Sequence, residues 1–301
     1  MRDWMRRLIE LDVGRVERDA SMKSLTTWEI GGPADVLVVP RDMPSLVRLM
    51  QFLFSAGVPW FVLGKGSNLL VRDGGLRGVV IRLGEAFQHK TVNGRSVEVG
   101  AAYSLVRLAA ETARIGLSGL EFAGGIPGSI GGAVFMNAGA HGKSIQAVLE
   151  SAEIVWADGR TERLSASELD FAYRTSVLQA RPGIVTRAFF RLTEGDPERI
   201  RERMMGLKAY RLRTQPLKER CAGSVFRNPP GDFAARLIEA CGLKGARIGG
   251  AQVSPMHANF IVNTGDARAQ DVLRLIEEIR RCVRERFGYA LETEVRVVGE
   301  G

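Results

Sequence analysis

Gly124-Gly125-Ile126-Pro127-Gly128-Ser129-Ile130-Gly131-Gly132 places five glycines in nine residues. Each glycine forfeits roughly 0.5–1 kcal/mol of backbone entropy relative to alanine. Such a cost is tolerated where side chains would collide with something held against the backbone. An apolar run follows directly, Ala133-Val134-Phe135-Met136-Asn137-Ala138-Gly139-Ala140, able to pack a large flat ring. A tight crossing of strands would use glycines too, but contact with a pyrophosphate or a ring is the favoured reading. The run lies inside the longest uncharged stretch, Phe122 to Gly142. Its glycines, with Pro127, Asn137 and His141, deny it the ~20 mostly apolar residues of a membrane span.

A second glycine loop lies upstream. Leu63-Gly64-Lys65-Gly66-Ser67-Asn68 follows a strand-like run and could crowd backbone N–H groups around an anion. It is no Rossmann fingerprint, because the third glycine would fall at Leu69, and no Walker lysine is present. Taken alone, it reads as a turn.

Around these loops the first part of the chain alternates strands and helices. Val36–Val39, Phe61–Leu63, Val79–Ile81, Val97–Val99, Glu153–Trp156 and Val185–Leu192 read as strands. Leu46, Leu49, Met50 and Leu53 recur at helical spacing behind Pro44 and before Gly57, as do Leu105, Leu108, Ala109 and Thr112 before Gly116. Ser167–Leu169 also reads as helical. Thr193–Pro197 looks like a boundary. Beyond it come a basic helix at Glu198–Tyr210, a Gly/Pro-rich turn at Cys221–Gly231 and a helix at Phe233–Cys241. A strand at Asn259–Val262 follows, then a long helix facing inward with Val272, Leu275, Ile276, Ile279 and Val283, and a strand at Glu294–Val298.

Composition narrows the class. The 301 residues are 45% apolar and 25% charged, which suggests about two domains at ~100–200 residues each. Glycine supplies 35 residues without any repeating period, so fibrous and disordered classes are excluded. The N-terminus, Met1-Arg2-Asp3-Trp4, is basic, but Glu10 and Asp12 arrive before any apolar segment, so no secretory signal is read. Cys221, Cys241 and Cys282 are odd in number and lack metal spacing, and the three histidines do too; no metal is expected and a reducing cytoplasm fits best. The net charge of +8 is concentrated between Asp196 and Arg220, with eight basic residues against four acidic. Tyr210 is its single aromatic, where nucleic-acid modules usually interleave several. A solvated helix face and a pocket for a small polyanion such as a nucleotide diphosphate both remain open.

Other motifs are weak singly. Tyr173-Arg174-Thr175-Ser176 ordinarily marks a surface arginine. Ala222-Gly223-Ser224-Val225-Phe226-Arg227-Asn228-Pro229-Pro230 sets a serine after glycine, yet Phe226 breaks the G-x-S-x-G pattern. Leu291-Glu292-Thr293-Glu294-Val295 places two acids on one face of a strand, a face usually given to solvent.

Their ordered set is specific. With Thr26-Thr27-Trp28-Glu29-Ile30-Gly31-Gly32-Pro33-Ala34-Asp35 in front, these motifs make the chain closely resemble the UDP-N-acetylenolpyruvoylglucosamine reductase family over nearly its whole length. The resemblance implies an α+β protein with an FAD-binding fold of the vanillyl-alcohol-oxidase type in two subdomains, about 1–83 and 84–197. An α+β substrate-binding domain would occupy 198–301, with the last strand returning to the FAD region. It implies bound FAD and NADPH as co-substrate, and UDP-N-acetylmuramate as the product for peptidoglycan. NADPH would reduce the FAD and leave, and the enolpyruvyl nucleotide would then take hydride from flavin N5 at its β-carbon. Negative charge would build on the substrate carboxylate and α-carbon, which calls for cationic or donor groups there.

Residue by residue, the resemblance assigns the FAD site to Leu63, Gly64, Gly66, Ser67, Asn68, Leu69, Gly124, Gly125, Ile126, Pro127, Gly128, Ser129, Gly131 and Gly132, with Asn137, Ala138 and Gly139 near the flavin ring. Arg174 and Glu294 would polarise the carboxylate, and Ser224 would protonate the α-carbon. A serine is a poor acid in water, so a preorganised network must assist it. Tyr173, Arg211, Arg213, Gln215, Lys218, Arg227, Asn228 and His257 would contact the nucleotide sugar. Arg227 stands where lysine is common, and His141 where tyrosine is. The short stretch from Arg191 to Pro197 carries no tyrosine, so the chain resembles the short form of the family, without the tyrosine-bearing closing loop. The resemblance suggests a monomer with a nucleotide-sugar partner and no nucleic acid or membrane. Another flavin oxidase of the same fold, acting on an alcohol or sugar lactone, is the alternative, and a basic nucleic-acid-binding protein the third reading.

Overall fold

A computed structural model describes residues 3–301; Met1 and Arg2, part of the basic N-terminus read above, lie outside them. The helices along the described chain are α1 (Asp3–Glu10), α2 (Met43–Ser55), α3 (Leu105–Arg114), α4 (Ile130–Phe135), α5 (Pro197–Thr214), α6 (Ala234–Ala240) and α7 (Ala269–Phe287). The chain divides into two compact units. One takes in the chain up to Glu17, Val36–Lys65 and Gly78–Ala209; the other takes in Arg18–Asp35, Gly66–Arg77 and Tyr210–Gly301.

In the first unit, an antiparallel five-stranded sheet runs in the order Thr161–Ser165, Leu149–Trp156, Gly183–Arg191, Ser96–Gly100, Lys90–Asn93. Val97, Leu105, Leu108, Ala109, Ile130, Val134, Ile154 and Phe190 are buried in the core it shares with α3 and α4. Of a four-stranded sheet ordered Gly14–Ser21, Pro33–Pro40, Leu76–Ile81, Trp60–Val62, the last strand lies wholly in this unit and runs parallel to its neighbour, with Trp60 opposite Val79. Leu46, Leu49, Met50 and Leu53 of α2 close a second core with Val36, Val38, Val79 and Ile81. Burying such side chains contributes about 1.5–3 kcal/mol each. Helix α2 begins before Pro44 because Asp42 is its cap, accepting the Ser45 N–H at 2.8 Å. It stops before Gly57, whose φ of +61° a side chain would resist.

Two expectations change here. Ser167–Leu169 is not helical: Leu169 N–H bonds the Ser165 carbonyl at 3.1 Å and Asp170 turns the chain left-handed at φ +46°, leaving a closed turn. Thr193–Pro197 does not end the first unit. Thr193–Glu194 pairs with Leu117–Ser118, and Ile200 and Arg203 of α5 are bound into the same unit, Ile200 by burial and Arg203 by an ion pair to the buried Glu121.

In the second unit, the three-stranded sheet Arg247–Ile248, Ala251–Val253, Ile261–Asn263 packs with α6 and α7. Val272, Leu275, Ile276, Ile279 and Val283 face this core as their spacing demands. Trp28 is wholly buried there and donates Nε1–H to the Ile261 carbonyl at 2.9 Å. The closing strand, Arg296–Val298, starts two residues later than read and runs parallel to Leu69–Val71. All three cysteines are free thiols. No described helix is long and apolar enough to cross a membrane.

Candidate functional site

The glycine run leads into α4, with Ser129 as N-cap accepting the Gly132 N–H at 3.4 Å. The chain at Ala101–Leu105 pins it: Ile130 N–H bonds the Tyr103 carbonyl at 2.9 Å, Gly131 N–H the Ala101 carbonyl at 2.9 Å, and Leu105 N–H the Gly128 carbonyl at 3.1 Å. Three of the donors expected to cradle an anion, at Ile130, Gly131 and Gly132, are therefore already engaged. Among the described residues, the N–H groups of Gly64, Lys65, Gly128 and Ser129 have no partner in the protein. The two loops meet here, since a Cβ at Gly64 would come within 2.8 Å of Ser129 Oγ.

The glycines differ in what forbids a side chain. At Gly124 a Cβ would strike Met204 Cγ at 2.5 Å, at Gly139 the Lys143 carbonyl at 2.4 Å, and at Gly131 Ala101 Cβ at 3.1 Å. At Gly128 it would meet nothing within 4 Å. Protein packing explains the first three and leaves Gly128 facing open space. Unengaged backbone donors beside a surface without side chains suit a ligand gripped through its phosphates, so these residues fit an FAD pyrophosphate. Ile126 packs against the core, Pro127 and Gly125 complete the loop, and Leu63 is buried.

Tyr103 connects this loop to a charged brace. Its hydroxyl donates to Glu111 at 2.5 Å, alongside Lys90 Nζ at 2.6 Å and Arg107 Nε at 2.8 Å. Burial pushes the Glu111 carboxyl up, but hydrogen bonds from Lys90, Tyr103 and Arg107 outweigh it and hold the group down at about 2. Burial first, and the Glu111 contact second, raise the Tyr103 phenol.

The C-terminal end of α4 carries the arginine motif. Ala172 and Thr175 exchange both backbone hydrogen bonds, at 3.2 and 3.1 Å, with Tyr173-Arg174 at the tip. Arg174 has φ +60° where glycine is usual, a strain of about 1–3 kcal/mol for other residues. Asn137, also left-handed at φ +42°, donates Nδ2–H to the Ala172 carbonyl at 3.0 Å and accepts the Gln146 N–H at 3.1 Å. Its amide thus braces the arginine turn. Ala138 donates its N–H to the Ala133 carbonyl, continuing the α4 end. The Arg174 guanidinium lies 5.1 Å from the Tyr173 ring centre.

In the second unit, Gly66 at φ +64° leaves no room for a side chain beside the Leu25 carbonyl, 2.3 Å from where a Cβ would sit. Its own carbonyl accepts the Thr27 N–H. Asn68 donates Nδ2–H to the Glu294 carbonyl at 3.1 Å, and its carbonyl accepts the Arg296 N–H. Leu69 is buried in the strand beside Ser67 and Asn68. Within this unit, Gly66 serves packing and the Asn68 amide fixes the backbone of Glu294.

Ser224 lies in the same unit, after Gly223 at φ +78°. Glu294 N–H donates to the Val225 carbonyl at 2.8 Å, and Arg227 N–H to the Glu292 carbonyl at 2.9 Å, so the serine turn and the Leu291–Glu294 segment run side by side. Asn259, which the sequence reading missed, clamps the turn. It accepts the Phe226 N–H through Oδ1 at 2.9 Å, donates Nδ2–H to the Phe226 carbonyl at 2.8 Å, and its carbonyl takes the Val225 N–H at 2.8 Å. A polar amide inside the apolar run Ala258–Val262 was the available signal, because buried amides must find partners. His257 Nδ1 accepts the Asn259 N–H at 3.2 Å, and burial lowers its pKa, as does Lys244. Among the described residues, the half-buried Ser224 hydroxyl has no partner in the protein.

The remaining expected contacts scatter in function. Asn228 Oδ1 accepts the Ala234 N–H that opens α6. Arg211 Nε donates to Gln215 Oε1 at 3.0 Å, while Arg213 and Lys218 are exposed. Arg227 approaches Glu292 at 3.7 Å. Glu292 is exposed and Glu294 half-buried, so the two acids do not share one environment. No cluster of three or more His, Cys, Asp or Glu fit for a metal occurs among the described residues.

Among known families, the one described as FAD binding domain matches residues 34–165, and that described as UDP-N-acetylenolpyruvoylglucosamine reductase, C-terminal domain, matches residues 215–298. The chain is 50% identical over 300 residues to the UDP-N-acetylenolpyruvoylglucosamine reductase of Halalkalibacterium halodurans, covering 98% of this chain and 100% of that one. It is 51% identical to a UDP-N-acetylenolpyruvoylglucosamine reductase 1 of Bacillus cereus, covering 99% and 100%. The crystal structure of the reductase from Thermus caldophilus superposes with a TM-score of 0.83 at 44% identity, over 94% of this chain and 98% of that one. A variant of BBE-like 1 from Physcomitrella patens shares the fold at a TM-score of 0.50 and 18% identity, over 63% of this chain and 44% of that one.

Proposed function

The chain belongs to the UDP-N-acetylenolpyruvoylglucosamine reductase family, an FAD-containing group of oxidoreductases, and on that premise we propose that it reduces the enolpyruvyl ether of UDP-N-acetylglucosamine to UDP-N-acetylmuramate with NADPH. FAD, when bound, would supply the hydride link between NADPH and the β-carbon of the enol ether. The chain's own residues hold the nucleotide, stabilise the charge that develops on it and supply the second hydrogen as a proton. Gly64, Lys65, Gly128 and Ser129 hold the pyrophosphate through backbone N–H groups. Arg174 meets the substrate carboxylate, where charge accumulates as the α-carbon becomes electron-rich. Glu294 hydrogen-bonds the same developing enolate, which requires its carboxyl to carry a proton at that moment. Ser224 then gives its hydroxyl proton to the α-carbon.

The observation that carries this reading is the unengaged Ser224 hydroxyl beside Val225 and Phe226, whose backbone groups are all paired, with the Glu294 N–H donating to the Val225 carbonyl at 2.8 Å. An alcohol oxidase would need a base at that position. The exposed cations Arg213 and Lys218, with Arg211, remain candidates for the UDP diphosphate. Incubating the FAD-loaded protein with NADPH and the enolpyruvyl nucleotide should give UDP-N-acetylmuramate by mass spectrometry. Oxygen consumption with simple alcohols or lactones, and no such product, would overturn the reading.

A further inference from the structure

We propose that Gln179 is a positioning residue for Arg174; the inference rests on the role given to Arg174 above. Gln179 closes the short turn Val177–Gln179 just after the arginine motif. Its Nε2 donates to the Arg174 carbonyl at 3.0 Å and to the Phe135 carbonyl at 3.2 Å, the last residue of α4. One amide therefore fastens the Arg174 peptide to the helix that begins at the glycine loop. Ser176 Oγ reaches the same Phe135 carbonyl at 2.8 Å, and Asn137 holds the turn from its other end through Ala172.

The need for such a tether follows from the backbone. Arg174 sits at φ +60°, a conformation that an arginine leaves when nothing holds it. Rotation of that residue would swing the guanidinium away from its target. Ser176 and Asn137 are buried, so removing either disturbs packing as well. Gln179 is exposed and covers no core, yet its amide nitrogen reaches two backbone carbonyls as well as Met136 Sδ. An exposed glutamine in that arrangement contributes little to folding and much to the aim of the residue it holds.

The test uses the FAD-bound protein, anaerobic mixing and three variants. Gln179→Glu keeps the shape but sets a carboxylate against two carbonyl oxygens. It should slow reoxidation of the reduced flavin by the enolpyruvyl ether of UDP-N-acetylglucosamine by ~10–100-fold, the scale of a misplaced catalytic group. Reduction by NADPH and the Tm should stay as in the wild type. Gln179→Lys, which keeps a donor on a chain one methylene longer, should recover most of the rate. If Gln179→Glu behaves as wild type while Arg174→Ala is slow, the positioning role falls and the role of Arg174 stands. If Arg174→Ala reoxidises normally, the assignment beneath the proposal falls. Equal slowing of both half-reactions with a lowered Tm would show a structural role and overturn the proposal.

Discussion

In the glycine loop, Gly128 and Ser129 keep their N–H groups unengaged, and Gly128 presents no side chain to what lies in front of it. In the serine turn, Val225 and Phe226 have every backbone group paired, to Asn259 and Glu294, and beside them the Ser224 hydroxyl is unengaged. One region offers backbone and withdraws its side chains; the other closes its backbone and offers a side chain. Gripping an anion needs several donors at fixed spacing, which peptide groups supply at no cost in side-chain entropy. Protonating a carbon needs one transferable proton, which no backbone amide can give up.

This contrast can be broken at either end. Ser224→Ala should lower turnover by about 10²–10⁴-fold, the usual cost of a lost proton donor, with the flavin spectrum unchanged. Steady-state rates at saturating substrate check it, and a wild-type rate would remove Ser224 from the chemistry. Asn259→Leu leaves the Phe226 N–H and carbonyl buried without partners, at ~1–3 kcal/mol apiece. Its denaturation midpoint should fall accordingly, and an unchanged midpoint would mean the clamp is dispensable. Gly128→Val should weaken FAD binding by roughly tenfold or more, about 1.4 kcal/mol, because its side chain enters the open space the loop keeps clear. Flavin titration followed by fluorescence would show an unaltered affinity if the pyrophosphate sits elsewhere.

The smallest effect concerns the brace behind the loop. Glu111 is held at about 2 in the folded protein against an ordinary 4.5, so it stabilises the fold fully above pH 4.5. That contribution fades as the pH falls from 4.5 towards 2. Glu111→Gln should therefore lose about 1 kcal/mol at neutral pH and nothing near pH 2, which denaturation curves across that window would reveal.

The sequence showed one half of the contrast far better than the other. Apolar periodicity located α2, α3 and α7 to within a few residues, because each buries one stripe. Gly14–Ser21, Lys90–Asn93 and Thr161–Ser165 escaped notice because edge positions and solvent-facing charges mask a strand's alternation. Glycine richness announced the loop, yet it could not say that Gly124 makes way for Met204 while Gly128 faces open space. Asn259 is marked only as an amide within an apolar run, and Gln179 not at all, because each acts on backbone groups, which leave no mark in residue type. Parallel pairing of Leu69–Val71 with Arg296–Val298 was beyond local pattern altogether.

Electrons that NADPH delivers to the bound flavin should leave it for an enolpyruvyl nucleotide. Flavin on the wild-type protein, reduced with one equivalent of NADPH under anaerobic conditions, should return to its oxidised spectrum when the enolpyruvyl ether of UDP-N-acetylglucosamine is added, one flavin per substrate. Flavin that stays reduced until oxygen is admitted would rule out that transfer.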